Sequence, residues 1–227
     1  MSLTKHAPVA FLLDVDNTLL NSDAVIEDFR RHLTGALGEA AQKKYWRIFE
    51  ERQKDLGYAD YLGALQHFRC ENPRDLDFLK LSMFLLNYQF AERLYPQALD
   101  VVGFLKTRGT TAIVSNGDVV FQPHKIQRAG LFDAVDGNVL IYIHKDDDWE
   151  DVERRIPAPR YVLIDDEPRE LSAAKRRWHE RVTTIFVRQG SHAHDPKHVD
   201  PYPPADLTIE HIGDLLEPDY RHTLERL

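Results

Sequence analysis

Two aspartates, Asp14 and Asp16, directly follow a short apolar run, Val9–Leu13, and are the residues of this chain best suited to chemistry. A continuous apolar run of this length is typical of a strand buried on both faces of a parallel sheet. The carboxyl end of such a strand is where open α/β sheets bind their ligands. Residues two apart on an extended backbone point to the same side, so the two carboxylates repel each other unless a cation lies between them or one is protonated. The pair therefore predicts either a divalent cation or an acid/base role.

Polar residues also end three later apolar runs, which we predict to be strands at 111–114, 139–143 and 161–164. The residues at these ends are Ser115, Asn116 and Gly117, then Lys145, then Asp165 and Asp166. Because the carboxyl ends of parallel strands lie along one edge of a sheet, we expect all of these residues close to the first two aspartates. A hydroxyl, an ammonium and four carboxylates would then form one site.

If the substrate is a phosphate ester, the two aspartates of the first strand end take different roles. Asp14 would attack phosphorus and form an aspartyl-phosphate, which divides one difficult displacement into two easier steps. Asp16 would protonate the leaving alcohol and later take a proton from the attacking water. These roles predict a two-step hydrolysis.

Three of the carboxylates suit a metal ion. Asp14, Asp165 and Asp166 offer the hard oxygen ligands that Mg²⁺ prefers, and a bound Mg²⁺ keeps waters and shares a phosphate oxygen. Whether Asp166 binds the ion directly or through water is open. We therefore expect Mg²⁺ as the cofactor.

The remaining polar residues suit the phosphate group itself. Ser115 and the backbone N–H groups near Asn116 and Gly117 would hold phosphate oxygens. Lys145 would neutralise charge on the nucleophile and on the phosphoryl group. The four residues together predict a phosphate-binding half of the site.

The order of predicted elements indicates the fold class. Residues 23–93 carry apolar side chains at helical spacing and almost no β-branched runs, which predicts four or five helices and no strand. After residue 95 helices and strands alternate, with helices expected at 98–107, 123–129 and 171–180, a fifth strand at 182–187 and a short terminal helix around 209–216. Alternation of this kind predicts an α/β protein with a three-layer, Rossmann-like parallel sheet, into which an all-helical segment is inserted.

Composition excludes several classes of function. The chain has 227 residues, a formal charge of −8 and one cysteine, so it can bury a sizeable core without disulfides and lacks the basic face of a nucleic-acid-binding protein. No apolar run approaches the roughly 20 residues of a membrane helix, and the first residues do not have the pattern of a signal peptide. The single cysteine favours a reducing compartment, so we expect a cytoplasmic protein without a nucleic-acid or membrane partner.

These motifs resemble the haloacid dehalogenase-like (HAD) hydrolases, most of which are phosphatases. The matching residues are Asp14-Val15-Asp16-Asn17-Thr18 for the first motif, Ser115-Asn116-Gly117 for the second, Lys145 for the third and Asp165-Asp166 for the fourth. The resemblance implies that Asp14 is the nucleophile and that Asp16 is the general acid/base, with its backbone carbonyl also on Mg²⁺. Dehalogenase members generally lack the second aspartate, so Asp16 favours phosphate chemistry.

The resemblance also accounts for the helical segment. About 95 residues separate Thr18 from Ser115, where family members carry a helical cap that closes over the site. It implies a cap at 21–95 and a catalytic core formed by 1–20 and 96–227, with hinges near 20–23 and 95–96. A cap of this sort would exclude water and select the substrate.

We therefore predict a Mg²⁺-dependent phosphatase acting on a small phosphorylated metabolite, with Asp14, Asp16, Asp165 and Asp166 around the metal. A phosphotransferase or sugar phosphomutase, a 2-haloacid dehalogenase, and a non-catalytic regulatory binding protein remain as alternatives. A transition-metal site formed by His192, His194 and His198 with Asp195 is a weaker hypothesis, because these residues lack helical context and lead into a proline-rich loop. The sequence does not indicate the oligomeric state or the identity of the substrate.

Overall fold

The computed structural model contains one sheet of six parallel strands in the order β3-β2-β1-β4-β5-β6. It describes residues 8–71 and 77–225, so 1–7, 72–76 and 226–227 of the expected core and cap lie outside the described residues. The strands are β1 Val9–Leu13, β2 Thr110–Asn116, β3 Val139–Tyr142, β4 Arg160–Asp165, β5 Val182–Val187 and β6 Leu207–Ile209. This order confirms the predicted Rossmann-like parallel sheet.

Strand β1 lies in the middle of the sheet, between β2 and β4. Its alternating residues enter different cores, with Phe11 and Leu13 packed on one face and Ala10 and Leu12 on the other. A strand covered on both faces must be apolar at every position, which explains why Val9–Leu13 has no polar residue. The chain therefore delivers Asp14 to the centre of the carboxyl edge.

Helices cover both faces of the sheet, which gives the expected three layers. The helices of the described residues are α1 Ser22–Leu37, α2 Glu39–Leu56, α3 Tyr61–Glu71, α4 Asp77–Asn87, α5 Ala98–Lys106, α6 Phe121–Arg128, α7 Leu131–Ala134, α8 Trp149–Arg155, α9 Pro168–Trp178, α10 Pro196–Val199 and α11 Pro218–Glu225. Residues of α5, α6 and α7 pack into one core, and residues of α8 and α9 pack into the other. None of these helices is long and apolar enough to cross a membrane.

Helices α1 to α4 and a short 3-10 helix, Phe90–Arg93, lie between β1 and α5 and are called the inserted segment. Its interior is aromatic, with Phe29 edge-on to Tyr45 at a centroid distance of 5.3 Å. The two chain connections to this segment run side by side, because Asn21 N–H donates to Arg93 O and Tyr95 N–H donates to Leu19 O. Leu20 bridges both Asp16 and Leu94, so the two connections lie next to the first motif.

The carboxyl-terminal part differs from the prediction of one helix around 209–216. Residues Leu207–Ile209 form β6, which pairs in parallel with Ile185–Val187 of β5. A 3-10 helix, Ile212–Leu216, follows, and α11 then begins at Pro218. Three strand residues are too few to show a period of two, so the prediction of a single helix was wrong here.

Two predicted helices begin earlier than their sequence signals suggested. Helix α6 begins at Phe121 rather than at Pro123, because the Asp118 carboxylate accepts hydrogen bonds from Val120 N–H and Phe121 N–H. Helix α9 begins at Pro168, which occupies its first turn, where a missing N–H costs nothing. The second case puts the fourth motif at a helix amino terminus.

Candidate active site

Asp14 occupies the first position after β1 and is buried. Its backbone N–H donates to Ile164 O, which continues the β1–β4 ladder by one residue and fixes the start of the first motif. One of its carboxylate oxygens, Oδ1, lies 2.6 Å from Lys145 Nζ and 3.4 Å from Ser115 Oγ. Side chains from three different strand ends thus meet at one carboxylate, as the sequence predicted.

Lys145 is a fully buried cation. Its Nζ also lies 2.7 Å from Asp165 Oδ2, and its backbone N–H donates to Asn116 Oδ1 at 2.8 Å. Burial alone would lower the pKa of this ammonium, but attraction to Asp14 and Asp165 outweighs burial and raises the pKa well above its usual value. Lys145 therefore carries a positive charge at neutral pH.

Three buried carboxylates, those of Asp14, Asp165 and Asp166, bring ligand atoms within 4.8 Å of one another. Burial raises the pKa of all three; repulsion from Asp16 adds to the effect on Asp14, and repulsion from Asp14 adds to the effect on Asp165 and Asp166. Among the described residues Lys145 is the cation in ion-pair contact with this group, so negative charge remains uncompensated. Asp165 Oδ2, although close to Lys145, accepts no well-aligned hydrogen bond. Hard oxygen donors with unmet negative charge fit a divalent cation.

Asp16 does not join this acidic group. Its Oδ1 accepts from Lys125 Nζ and Ser22 Oγ, and its Oδ2 accepts from Gln122 Nε2 at 2.8 Å. Burial would raise the pKa of this carboxyl, but the charge of Lys125 together with the hydrogen bonds from Lys125, Ser22 and Gln122 outweighs burial and lowers the pKa. The side chain still borders the cavity over the site. Of the four residues expected around the metal, Asp16 is thus the one whose carboxylate points away from the acidic group and towards α6.

The second motif is only partly available to a ligand. Ser115 Oγ accepts from Gln122 Nε2 at 2.9 Å and faces Asp14. The Gly117 N–H, however, donates to Tyr142 O at 2.9 Å. Both ends of the Asn116 amide are also hydrogen-bonded, because its Oδ1 accepts from Lys145 N–H and its Nδ2 donates to Glu170. Of the backbone N–H groups near Asn116 and Gly117 that were expected to hold phosphate oxygens, the Gly117 N–H is engaged by Tyr142 O, because β2 continues its ladder with β3 through that group.

Several polar residues around the motifs were not anticipated from the sequence. Glu170 on α9 is buried and accepts from Asn116 Nδ2 at 3.2 Å, so it orients the amide that binds Lys145. Gln189, after β5, donates to the backbone carbonyls of Asn17 and Thr18 and accepts from Ile212 N–H. Glu170 thus holds the side chain of Asn116, a candidate site residue, whereas Gln189 holds the loop of the first motif.

Thr18 connects the first motif to the fourth. Its Oγ1 accepts from Asp166 N–H at 3.0 Å and donates to Asp166 Oδ1 at 3.4 Å. A hydroxyl that both accepts and donates in this way fixes the position of the Asp166 carboxylate relative to β1. The threonine that ends the first motif thus has a structural role, because it links this motif to the fourth.

A cavity of about 550 Å³ lies over these groups. One wall comes from the inserted helical segment and the other from the chain after β5; its lining includes Phe49, Tyr58, Tyr61, His192, Lys197 and His198. His192 and His198 stack at a centroid distance of 4.3 Å, but no group of histidines among the described residues gathers around a possible ion. The hypothesis of a histidine metal site is therefore not supported, and a cavity of this size suits a small metabolite.

Comparison with known proteins identifies the family. A model of the family described as haloacid dehalogenase-like hydrolase matches residues 9–176. The chain belongs to the haloacid dehalogenase-like hydrolases. The family match confirms the resemblance drawn from the motifs and shows that the chain is a hydrolase. A comparison with curated proteins gives no match.

Solved structures agree with this HAD assignment. A candidate haloacid dehalogenase-like hydrolase from Burkholderia xenovorans LB400 is 51% identical with a TM-score of 0.89, over 95% of this chain and 98% of that chain. An L-2-haloacid dehalogenase from Xanthobacter autotrophicus, with chloropropionic acid covalently bound, is 18% identical with a TM-score of 0.60, over 91% and 96%. A candidate HAD hydrolase from Bacillus subtilis, bound to magnesium, is 19% identical with a TM-score of 0.61, over 97% and 99%. The last two show the shared fold alone.

Proposed function

We propose that this HAD hydrolase is a Mg²⁺-dependent phosphatase that hydrolyses a small phosphate monoester through an aspartyl-phosphate on Asp14. The observation that carries the proposal is the division of the carboxylates at one strand edge. Asp14, Asp165 and Asp166 form a group that needs a cation, whereas Asp16 lies outside that group and borders the cavity. Hydrolysis of a phosphate ester would use both parts: the three carboxylates to hold a cation beside the phosphoryl group, and Asp16 as a separate acid/base.

The chain's own residues account for the two steps. The Asp14 carboxylate attacks phosphorus, so a bond forms between its oxygen and phosphorus while the bond from phosphorus to the leaving alcohol breaks. Asp16, a carboxylate in the free enzyme, first takes up a proton from solvent through the cavity that it borders and then gives it to the leaving oxygen. Its carboxylate next takes a proton from the water that attacks phosphorus, as the bond from Asp14 to phosphorus breaks and phosphate leaves. Lys145 stays beside Asp14 Oδ1, where it offsets negative charge on the phosphoryl group.

The metal would be held by the carboxylates of Asp14, Asp165 and Asp166 together with the Asp16 backbone carbonyl. When bound, Mg²⁺ supplies positive charge to the phosphoryl oxygens and balances the three carboxylates. Ser115 and Asn116 would border the phosphoryl group. We assign residues 21–95 as the cap and 1–20 with 96–227 as the core, because the cavity wall opposite the motifs comes from the inserted helices.

Three alternatives use the same fold. Dehalogenation is represented among the structural relatives, yet likeness at 18% identity concerns the fold. A phosphotransferase would use the same residues and pass the phosphoryl group to an acceptor alcohol. A regulatory binding protein would need no turnover, but the motif positions hold competent residues.

The test compares the wild type with the Asp14→Asn variant on a panel of phosphorylated metabolites and on p-nitrophenyl phosphate, with and without Mg²⁺. We expect metal-dependent phosphate release that is abolished in Asp14→Asn and retained in Asp136→Asn, a matched change at an exposed aspartate outside the site. Full activity in Asp14→Asn would contradict the mechanism. Halide release from 2-haloacids, or a phosphorylated acceptor in place of free phosphate, would support the corresponding alternative.

A further inference from the structure

Lys125, on α6, is a buried lysine that none of the four motifs contains. Its side chain is 6% exposed, and its Nζ lies 2.5 Å from Asp16 Oδ1. A buried ammonium is costly unless a carboxylate pairs with it, so the position of Lys125 and that of Asp16 depend on each other.

Gln122 holds the other oxygen of the same carboxylate. It lies one helical turn before Lys125 on the same face of α6, and its Nε2 donates to Asp16 Oδ2 at 2.8 Å and to Ser115 Oγ at 2.9 Å. Because both oxygens of Asp16 are bound from one helix, the carboxylate cannot rotate about its own axis without breaking one of these bonds. Space for this contact comes from Gly117, where a Cβ would lie 2.6 Å from Gln122 Cβ.

The three side chains that donate to Asp16 come from two different parts of the fold. Lys125 and Gln122 belong to the helix between β2 and β3, whose Phe121 and Ile126 are packed in the core. Ser22, which also donates to Asp16, begins α1 of the inserted helical segment. If that segment moves, the contact from Ser22 changes, while the two contacts from α6 remain.

We propose that Lys125, assisted by Gln122, is a positioning residue that aims the Asp16 carboxylate at the leaving-group oxygen of the substrate. The inference rests on the proposed phosphatase function. Lys125 itself transfers no proton: Asp16, once it has taken up a proton with the substrate bound, passes that proton to the leaving oxygen as the bond from this oxygen to phosphorus breaks. The effect of Lys125 should therefore depend on how much the leaving group needs that proton.

The test compares two substrates in wild type and in Lys125→Met, which removes the charge and keeps the length of the side chain. An alkyl phosphate requires protonation of its leaving group, whereas p-nitrophenyl phosphate has an activated leaving group. The ratio kcat/KM reports only steps up to phosphoryl transfer to Asp14, so it isolates this half-reaction. We expect kcat/KM to fall about 100-fold for the alkyl ester and less than about 10-fold for the aryl ester. Lys125→Arg should recover part of the alkyl activity.

Two controls separate positioning from folding. Lys175→Met removes another lysine–aspartate pair, with Asp206 at 2.8 Å, in the last turn of α9 at the end opposite the fourth motif, and should leave both substrates unchanged. Gln122→Met, measured alongside, should show the same preferential loss of the alkyl ester even if Lys125→Met fails to fold. Equal losses on both substrates in an active, folded variant would overturn the inference alone. A wild type that releases phosphate from neither ester would overturn the proposed function instead.

Discussion

Lys145 Nζ lies 2.6 Å from Asp14 Oδ1, so the buried ammonium binds an oxygen of the proposed nucleophile directly. The same Nζ lies 2.7 Å from Asp165, in the acidic group that needs a cation. Lys145 thus acts on two charges at once: it offsets negative charge at the point of attack and reduces repulsion among the carboxylates. These two effects make different predictions for activity and for metal binding.

Replacement of Lys145 by Met should abolish most turnover without weakening metal binding. Loss of the ammonium removes charge stabilisation from the phosphoryl transfer, for which we expect a fall in kcat of at least about 100-fold. The acidic group becomes more negative, so Mg²⁺ should raise the melting temperature of the variant by at least as much as that of the wild type. Phosphate release and thermal unfolding with and without Mg²⁺ measure both effects. A smaller metal-induced shift in the variant would show that Lys145 helps to bind the metal rather than competing with it.

Asp166→Asn should stabilise the metal-free protein. Burial raises the pKa of the Asp166 carboxyl well above its usual value, so the charged form opposes folding once the pH exceeds the unfolded pKa. The variant should therefore melt about 2–4 °C above the wild type at neutral pH, which corresponds to about 1 kcal/mol. The difference should shrink as the pH falls, because the wild-type carboxyl becomes protonated. With Mg²⁺ present the order should reverse, and a variant that stays more stable in Mg²⁺ would exclude Asp166 from the metal site.

The sequence predicted the sheet and the motif positions because those signals are local. An apolar run such as Val9–Leu13 has few alternatives to a buried strand, and parallel topology then brings distant strand ends together. The partners of Asp16 had no such signal: Lys125 is 109 residues away in the chain, on a helix whose other basic residue of the last turn, Arg128, is exposed. Which basic residue of a helix turns inward depends on how the helix packs, and periodicity alone does not determine that.

Asp28→Asn should reduce stability at neutral pH and have no effect in strong acid. Asp28, on α1, accepts from Tyr88 and from Arg93 Nη2 at 2.6 Å, which joins the start of the inserted segment to its end. Burial would raise its pKa, but these hydrogen bonds outweigh burial and lower the pKa to about 2. A lowered pKa stabilises the fold above the unfolded value of about 4, and that stability is lost as the pH falls towards 2. We expect a loss of about 1 kcal/mol at pH 7 that vanishes near pH 2, measured by denaturant unfolding. A pH-independent difference would mean that the loss comes from packing.

Gly57 and His144 provide a test of the contact between the helical segment and the core. Gly57 ends α2 with φ +81°, and a Cβ there would lie 1.8 Å from His144 Cε1, immediately before Lys145. Gly57→Ala should therefore cost about 1–2 kcal/mol of stability through its left-handed backbone and should also displace His144. If residues 21–95 close over the site, the displacement lowers kcat/KM, and His144→Ala in the same chain restores part of it by making room. If the free-energy losses calculated from kcat/KM for the two single variants simply add in the double variant, the two residues act independently and this contact does not govern closure.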